Sequence, residues 1–302
     1  MKISTQRQGE VFIVAKSLLW GFFPIMTVLS YYQLSPLVSL AWSTLCSAAF
    51  FAGLMTWRRR WAQLKIKTAW PDILGSTIFI GVFYYMLYYW GLKYTSAGNA
   101  SIIALTETFF SFVFFHLWRR EYIPRQHIAG AVLMLAGAAV VLYPNITGWQ
   151  TGDWLVLAAA MVAPLGNFFM QRSRRQVSSE TIMFVRAIVS APVIFWLAGS
   201  LGNNLWVPDF GAVVGYLLIN GILLLGLSKI FWLESIHRLS VTKANAMSSL
   251  GPLVTLLLAW LLLHTPPTGW QLISLGPLIG GLVLLSWRST AATPVPITEV
   301  EA

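Results

Sequence analysis

Four ionisable side chains stand inside long apolar runs of this 302-residue chain: Lys16, Glu107, Arg186 and Lys229. Placing a charge in such a run is costly unless it meets a partner or a wet cavity. Glu107 is the sharpest case, in the middle of the run 99–118. Two readings of it stay open: a contact to a cationic substrate group or a proton-titrating site, against a neutral or paired structural carboxylate at a helix crossing. Lys16, Arg186 and Lys229 lie toward the ends of their runs, where long basic side chains extend to the interface. Lys229 is the candidate exception, for a reason the internal repeat supplies.

Aromatic and polar side chains add a second layer of candidates. Tyr84, Tyr85 and Tyr88 share one face of a helix and can present rings and hydroxyls to a ligand. Tyr89 and Trp90 read instead as part of an interfacial belt. Trp20, Asn167, Asn220, Trp232 and Ser248 are further cavity candidates, each with packing or interhelical hydrogen bonding as its alternative. Gly251-Pro252 reads as a kink or a hinge in the run 244–263. Covalent and metal chemistry find no such support. His116, His127, His237 and His264 show no metal spacing, there is no G-x-x-x-x-G-K-[ST] loop for ATP, and no cofactor is implied.

These candidates need elements to hold them, and composition names the elements. Of the residues, 57% are hydrophobic and 10% charged, against roughly 25% charged in soluble domains. Ten runs approach the roughly 20 apolar residues that a bilayer core requires: 11–30, 36–57, 73–92, 99–118, 128–143, 154–170, 181–200, 211–232, 244–263 and 270–287. Runs this long satisfy their backbones only as helices, so the expected fold is an all-α integral membrane protein of ten transmembrane helices. The first run is too long for a signal peptide and lacks a cleavage site after it, so it reads as a permanent helix. The single cysteine, Cys46, excludes an internal disulfide. The Pro294- and Pro296-bearing stretch 289–302 reads as a disordered cytoplasmic tail.

The chain also repeats itself. A shift of 144 lays Ser96 on Ser240, Ala100 on Ala244, Leu117 on Leu261 and Gly137 on Gly281, so that 84–142 runs beside 228–286 without a gap. The same shift lays Lys229 on Tyr85, in a helix expected to line a cavity. Residues 1–147 and 148–288 therefore read as two related halves. Small residues at Gly130 and Gly137 are expected to let the fifth helix approach its neighbour closely, and Gly276, Gly280 and Gly281 to do likewise in the tenth.

Charge orients the halves. With ten helices, sixteen of the twenty Lys and Arg residues fall on one side, in clusters at 58–67, 119–125 and 172–175, beside Lys2, Arg7, Arg238, Lys243 and Arg288. The opposite loops hold only Lys93. The excess marks the cytoplasmic side and puts both termini there. Five helices per half is odd, so the second half enters inverted: Arg172, Arg174 and Arg175 shift onto uncharged Val28, Ser30 and Tyr31. Inverted repeats of this kind mark secondary transporters, with a site near the midplane.

The stretch Gly91-Leu-Lys-Tyr-Thr-Ser-Ala-Gly-Asn-Ala, the apolar helix after it, Arg120-Glu121 and Gly130 to Gly137 resemble the EamA family of the drug/metabolite transporter superfamily. Ser240 to Gly281, with Gly251-Pro252, resembles its later repeat. Within the superfamily the chain looks most like a YddG-type amino-acid exporter of bacterial inner membranes. It departs from the pattern at Thr108, where members often carry Pro, and at Trp42, where they often carry Arg; Arg186 keeps the latter in the second half. The resemblance implies two inverted five-helix bundles around a central cavity, acting as a monomer on amino acids, aromatic and other neutral ones, with membrane lipid and no nucleic acid as its surroundings. Export of drugs or other small metabolites, an intramembrane enzyme, and a receptor or scaffold are the alternatives.

The loop charges generate the first prediction. Reporter fusions after Trp57, Trp118 and Arg175 will read cytoplasmic, and one near Trp149 periplasmic. A periplasmic reading at Arg175 overturns the inverted repeat.

Overall fold

The computed structural model describes residues 5–119, 125–143, 151–207, 209–239, 244, 247, 248 and 250–286. The readings made for the tail 289–302, the junction at residue 148, Trp149, Lys2, Arg120, Glu121, Lys243 and Arg288 lie outside them. Among the described residues every regular element is helical and none is a strand. Eight helical stretches are long and apolar enough to cross a membrane.

In chain order, α1 (Thr5–Gly21) and α2 (Phe23–Ser30) make one span bent at Phe22, and α3 (Pro36–Trp57) makes the second. The third passes from α4 (Trp70–Ser76) through a wide π-helical stretch, Thr77–Tyr84, into α5 (Tyr85–Lys93). Next come α6 (Ala97–Ile103) and α7 (Glu107–Arg119), joined by a 3₁₀ turn at Ala104–Thr106, and then α8 (Arg125–Leu142). The order then recurs. It runs α9 (Thr151–Ser173), α10 (Ser179–Ser200), and α11 (Phe210–Leu218), which leads through a second π-helical stretch, Ile219–Leu227, into α12 (Ser228–Arg238). Two shorter apolar helices close the chain, α13 (Leu250–Leu263) and α14 (Gly269–Ser286). The ninth run is shorter than expected because much of 240–249 lies outside the described residues.

The two series correspond element by element. Arg125 and Gly269, which open α8 and α14, obey the shift of 144. Pro36 and Ser179, or Tyr85 and Ser228, fall one residue short of it. A one-residue difference of this kind lies within the usual play of helix ends. Packing follows the same correspondence. Helix α8 lies on α14 and α3 on α10, each on its own counterpart, while α1 lies on α12 as α9 lies on α5.

Small residues set these approaches, though not all those expected. A Cβ on Gly137 would stand 2.5 Å from Leu278 Cγ, and one on Gly281 would stand 2.5 Å from the Gly130 carbonyl oxygen. Gly276 and Gly280 do not take part: a Cβ on the first meets nothing within 4 Å, and on the second only Leu133 Cδ1 at 3.8 Å. A second pair of contacts has no counterpart in the sequence reading. At Gly152, opening α9, a Cβ would overlap the carbonyl oxygen of Gly91 and the carbonyl carbon of Tyr94, at the end of α5. A Cβ on Gly9, in α1, would stand 2.9 Å from Leu239 Cγ, just past the end of α12. Each glycine precedes an acid, Glu10 or Asp153, and Asp153 accepts a hydrogen bond from the Thr95 hydroxyl.

The basic loops meet at one end of the bundle. Arg58 pairs with Glu180, Arg172 Nε lies 3.3 Å from Asp72, and Glu234 takes both Arg174 at 2.8 Å and Arg238 at 2.5 Å. Gln63 Oε1 accepts from the backbone of Ser178 and the hydroxyl of Thr181, at 2.8 Å each. Clusters far apart in sequence therefore share one end, as their charge required.

The glycine contact at Gly152 gives a direct test. Gly152→Leu forces apart the α9 start and the α5 end, an overpacking worth on the order of 1–3 kcal/mol. Gly53→Ala, in an exposed stretch of α3 where a Cβ meets nothing within 4 Å, will leave stability unchanged or raise it by up to about 1 kcal/mol. Thermal unfolding of the purified protein in detergent separates the two. Equal melting temperatures for both variants would show that the approach at Gly152 is dispensable.

Candidate functional site

At the centre of the bundle lies a chain of hydrogen bonds that ties three helices together. The 3₁₀ turn at Ala104–Thr106 interrupts its span at mid-length, so Glu107 opens α7 with its carboxylate pointing inward. Asn167 Nδ2 on α9 donates to Glu107 Oε1 at 2.7 Å. Trp232 Nε1 on α12 in turn donates to Asn167 Oδ1 at 3.0 Å. An amide placed between an indole and a carboxylate orients both: its oxygen can only accept, its nitrogen only donate.

Around this chain opens a cavity of about 50 Å³, smaller than the roughly 300–1,000 Å³ usual for small-molecule sites. Its walls include Lys16, Arg186 and Lys229, which are only 8%, 5% and 8% exposed. Aromatic faces hold the cations in place. Lys229 Nζ sits 3.2 Å from the centre of the Trp20 ring, and Lys16 Nζ lies 5.5 Å from the same ring and 4.9 Å from that of Trp232. The Tyr85 ring lies 5.7 Å from Lys229 Nζ and 5.8 Å from the Arg186 guanidinium carbon. Cation–π contacts of this kind strengthen as water is removed. Lys16 also reaches the Ser248 hydroxyl at 3.4 Å.

The structure brings together most of the residues singled out from sequence. Trp20, Tyr84, Tyr85, Glu107, Asn167, Lys229 and Trp232 line this cavity. Tyr88, Ser248, Gly251 and Pro252 line an adjoining one, also of about 50 Å³, which shares Lys16, Trp20, Tyr84 and Glu107 with the first. Tyr84 stacks on Tyr88 at 5.8 Å and meets Tyr85 edge-on at 5.1 Å, giving the wall between them a rigid aromatic face.

Three readings are corrected. Lys16 and Arg186 do not extend to the interface: both are buried, at 8% and 5% exposed, and turn inward to line the cavity. Tyr89 is fully buried, with its backbone oxygen taking the Tyr31 hydroxyl at 2.7 Å, so it belongs to the core and not to a belt. Asn220 lines neither cavity; it is fully buried at the start of the second π-helical stretch, where neither of its amide atoms finds a hydrogen-bond partner. Pro252, expected at a kink or hinge, is buried near the start of α13 as it is described, and lines the second cavity. The bend lies opposite, at Phe22 ahead of Pro24, and the Gly21 carbonyl there accepts the Thr255 hydroxyl at 2.9 Å. Among the described residues no group of three or more His, Cys, Asp and Glu is placed to hold a metal ion.

Comparison with known proteins agrees with this architecture. The chain is 24% identical to the uncharacterized transporter YvbV of Bacillus subtilis (strain 168), over 80% of each chain. It is 24% identical to a probable terminal-alkyne amino-acid exporter of Streptantibioticus cattleyicolor, over 68% of this chain and 69% of that one. It is 26% identical to a probable amino-acid metabolite efflux pump of Salmonella typhimurium, over 70% and 74%. A solved crystal structure superposes with a TM-score of 0.71 at 20% identity, covering 92% of this chain and 96% of the other, so the fold is shared. The profile of the EamA-like transporter family matches twice, over residues 7–143 and again over 150–287. Two matches that together span nearly the whole chain identify it: this protein belongs to the EamA-like transporter family.

Proposed function

We propose that the protein is a secondary transporter that exports amino acids or close derivatives across the bacterial inner membrane by alternating access through the central cavity. One observation carries the reading. The cavity is walled by helices from both family matches, and in it a hydrogen-bonded carboxylate, Glu107, stands among buried cations, Lys16, Arg186 and Lys229. An amino acid offers complementary poles, an ammonium for Glu107 and a carboxylate for Lys229. Two relatives are named as an amino-acid exporter and an amino-acid metabolite efflux pump, which supports the substrate class and the direction.

The paired packing of α8 with α14, α3 with α10, and α1 with α12 as α9 with α5 supports ten helices in two inverted five-helix repeats. In this reading the end where Arg58, Arg172, Arg174 and Arg238 gather is cytoplasmic, with both termini, and the end at Lys93 is periplasmic. Both repeats of a single chain complete the cavity, so a monomer suffices. Tyr84, Tyr85, Tyr88 and Trp20 form the wall for the substrate side chain, and the aromatic substrates implied by the YddG-type resemblance suit it. Gly251 and Pro252, against the bend at Phe22, are the proposed hinge.

Glu107→Gln tests the carboxylate, since Gln keeps the shape and still accepts from Asn167. Counterflow of amino acids in proteoliposomes will fall about tenfold or more, equivalent to about 1.4 kcal/mol, with expression and folding unchanged. A proton-coupled carboxylate gives another pattern: counterflow survives and accumulation driven by a pH gradient is lost. Wild-type behaviour in both assays rejects either role. Tyr85→Ala and Tyr88→Ala will change export of bulky aromatic amino acids more than that of threonine. Equal losses for all substrates assign these rings to packing.

A further inference from the structure

The charges around the cavity do not balance. Lys16, Arg186 and Lys229 line it, and among the described residues Glu107 is the only carboxylate that does. None of the three cations forms an ion pair among the described residues. Their neighbours are the Trp20, Trp232 and Tyr85 rings, the Ser248 hydroxyl, and for Arg186 the Met170 sulfur at 3.4 Å. Glu107 is meanwhile engaged by Asn167 at 2.7 Å.

The geometry makes the surplus costly. Lys16 and Lys229 share the Trp20 indole, and Lys229 and Arg186 share the Tyr85 ring, so three like charges stand around two rings. Each side chain is more than nine-tenths buried, so bulk water screens little of their mutual repulsion. Rings and a hydroxyl soften a cation but cannot cancel it. A zwitterion adds one charge of each sign and leaves the excess as it found it. A ligand with more negative than positive groups reduces the excess, which the zwitterion, though its two poles can each be matched, does not.

We propose that the species bound here is a net organic anion, a carboxylate-bearing molecule with an aromatic or otherwise flat body. Its carboxylate sits between Lys229, Arg186 and Lys16, and its body lies against Trp20, Tyr84 and Tyr85. Amino acids whose amine is masked or removed, or whose side chain carries a second acid, fit this description; simple neutral amino acids are the poorer ligands. The inference rests on the cavity being the transport site proposed above, and narrows its substrate class by charge.

Ligands of one skeleton and three charges test it. N-acetyl-L-phenylalanine, L-phenylalanine and phenethylamine carry −1, 0 and +1, and succinate supplies an anion without an amino-acid skeleton. Binding to the full-length wild-type protein in detergent is measured by titration calorimetry. N-acetyl-L-phenylalanine will bind at least about tenfold more tightly than L-phenylalanine, a difference of about 1.4 kcal/mol, and phenethylamine most weakly. Lys229→Arg will keep that order, and Lys229→Met will collapse it. L-phenylalanine binding as tightly as its N-acetyl form overturns the charge inference and leaves amino-acid transport standing. Binding of succinate alone does the reverse, keeping the anion and discarding the amino-acid reading. No binding by any of the four overturns both.

Discussion

The interior of this bundle is organised by the need to hold charge where there is little water. Inserting one charged side chain at the centre of a membrane helix costs about 3 kcal/mol on insertion scales. Four such groups face one cavity here, against a net stability for a folded domain of about 5–15 kcal/mol. They persist because each is given a fixed neighbour. Glu107 has Asn167, itself held by Trp232, while Lys16, Lys229 and Arg186 have the faces of Trp20, Trp232 and Tyr85. The neighbours come from α1, α5, α9 and α12, so satisfying the charges also fixes which helices meet at the centre.

Backbone irregularity gathers at the same depth. The bend at Phe22, the 3₁₀ turn before Glu107, the π-helical stretches before Tyr85 and Ser228, and the start of α13 all lie beside the cavity. Freed carbonyls in a membrane need local donors. Hydroxyls supply them: Thr255 bonds the Gly21 oxygen at 2.9 Å, Thr106 bonds Ile103 at 2.6 Å, and Ser228 bonds the Leu224 oxygen. The π-helical stretches have a further effect. A wider turn shifts the register of the helix after it, which aims Tyr85 in one half and Lys229 in the other at the same space.

Much of this was legible in the sequence. Long apolar runs dictate helices, and loop charge dictates which ends gather, because both follow from the free energy of moving groups into lipid. Glu107 and Asn167 stood out as polar groups with no apolar reason to be there. Lys16 and Arg186 were misread because a basic residue near a run's end looks the same whether it turns outward or inward. Which way it turns is set by the aromatic rings packed against it, and most of these, Tyr85 and Trp232 among them, come from distant parts of the chain. Asn220 failed for the opposite reason: a polar residue in an apolar run signals a special environment but not which one. The Gly9–Glu10 and Gly152–Asp153 pairs were visible as a repeat of Gly plus acid, yet their meaning lay in the close approach of a helix distant in sequence.

The scaffold has a twofold character that its chemistry lacks. Tyr85 opens α5 where Ser228 and Lys229 open α12, and Glu107 opens α7 where the counterpart region carries Gly251 at the start of α13. Arg186 on α10 corresponds to Trp42 on α3, and Lys16 to Ala160 in α9. Backbone correspondence without side-chain correspondence has a physical consequence. In the transport cycle proposed above, corresponding helices exchange packing arrangements at similar energy, while the cavity keeps one acidic and one basic pole. Under that proposal a ligand with unlike ends is held in one orientation in either arrangement, because reversing it would set carboxylate against Glu107 and leave the cations facing rings alone. The correspondence of the helices would then permit the motion, and the asymmetry of four side chains would fix what is carried through it.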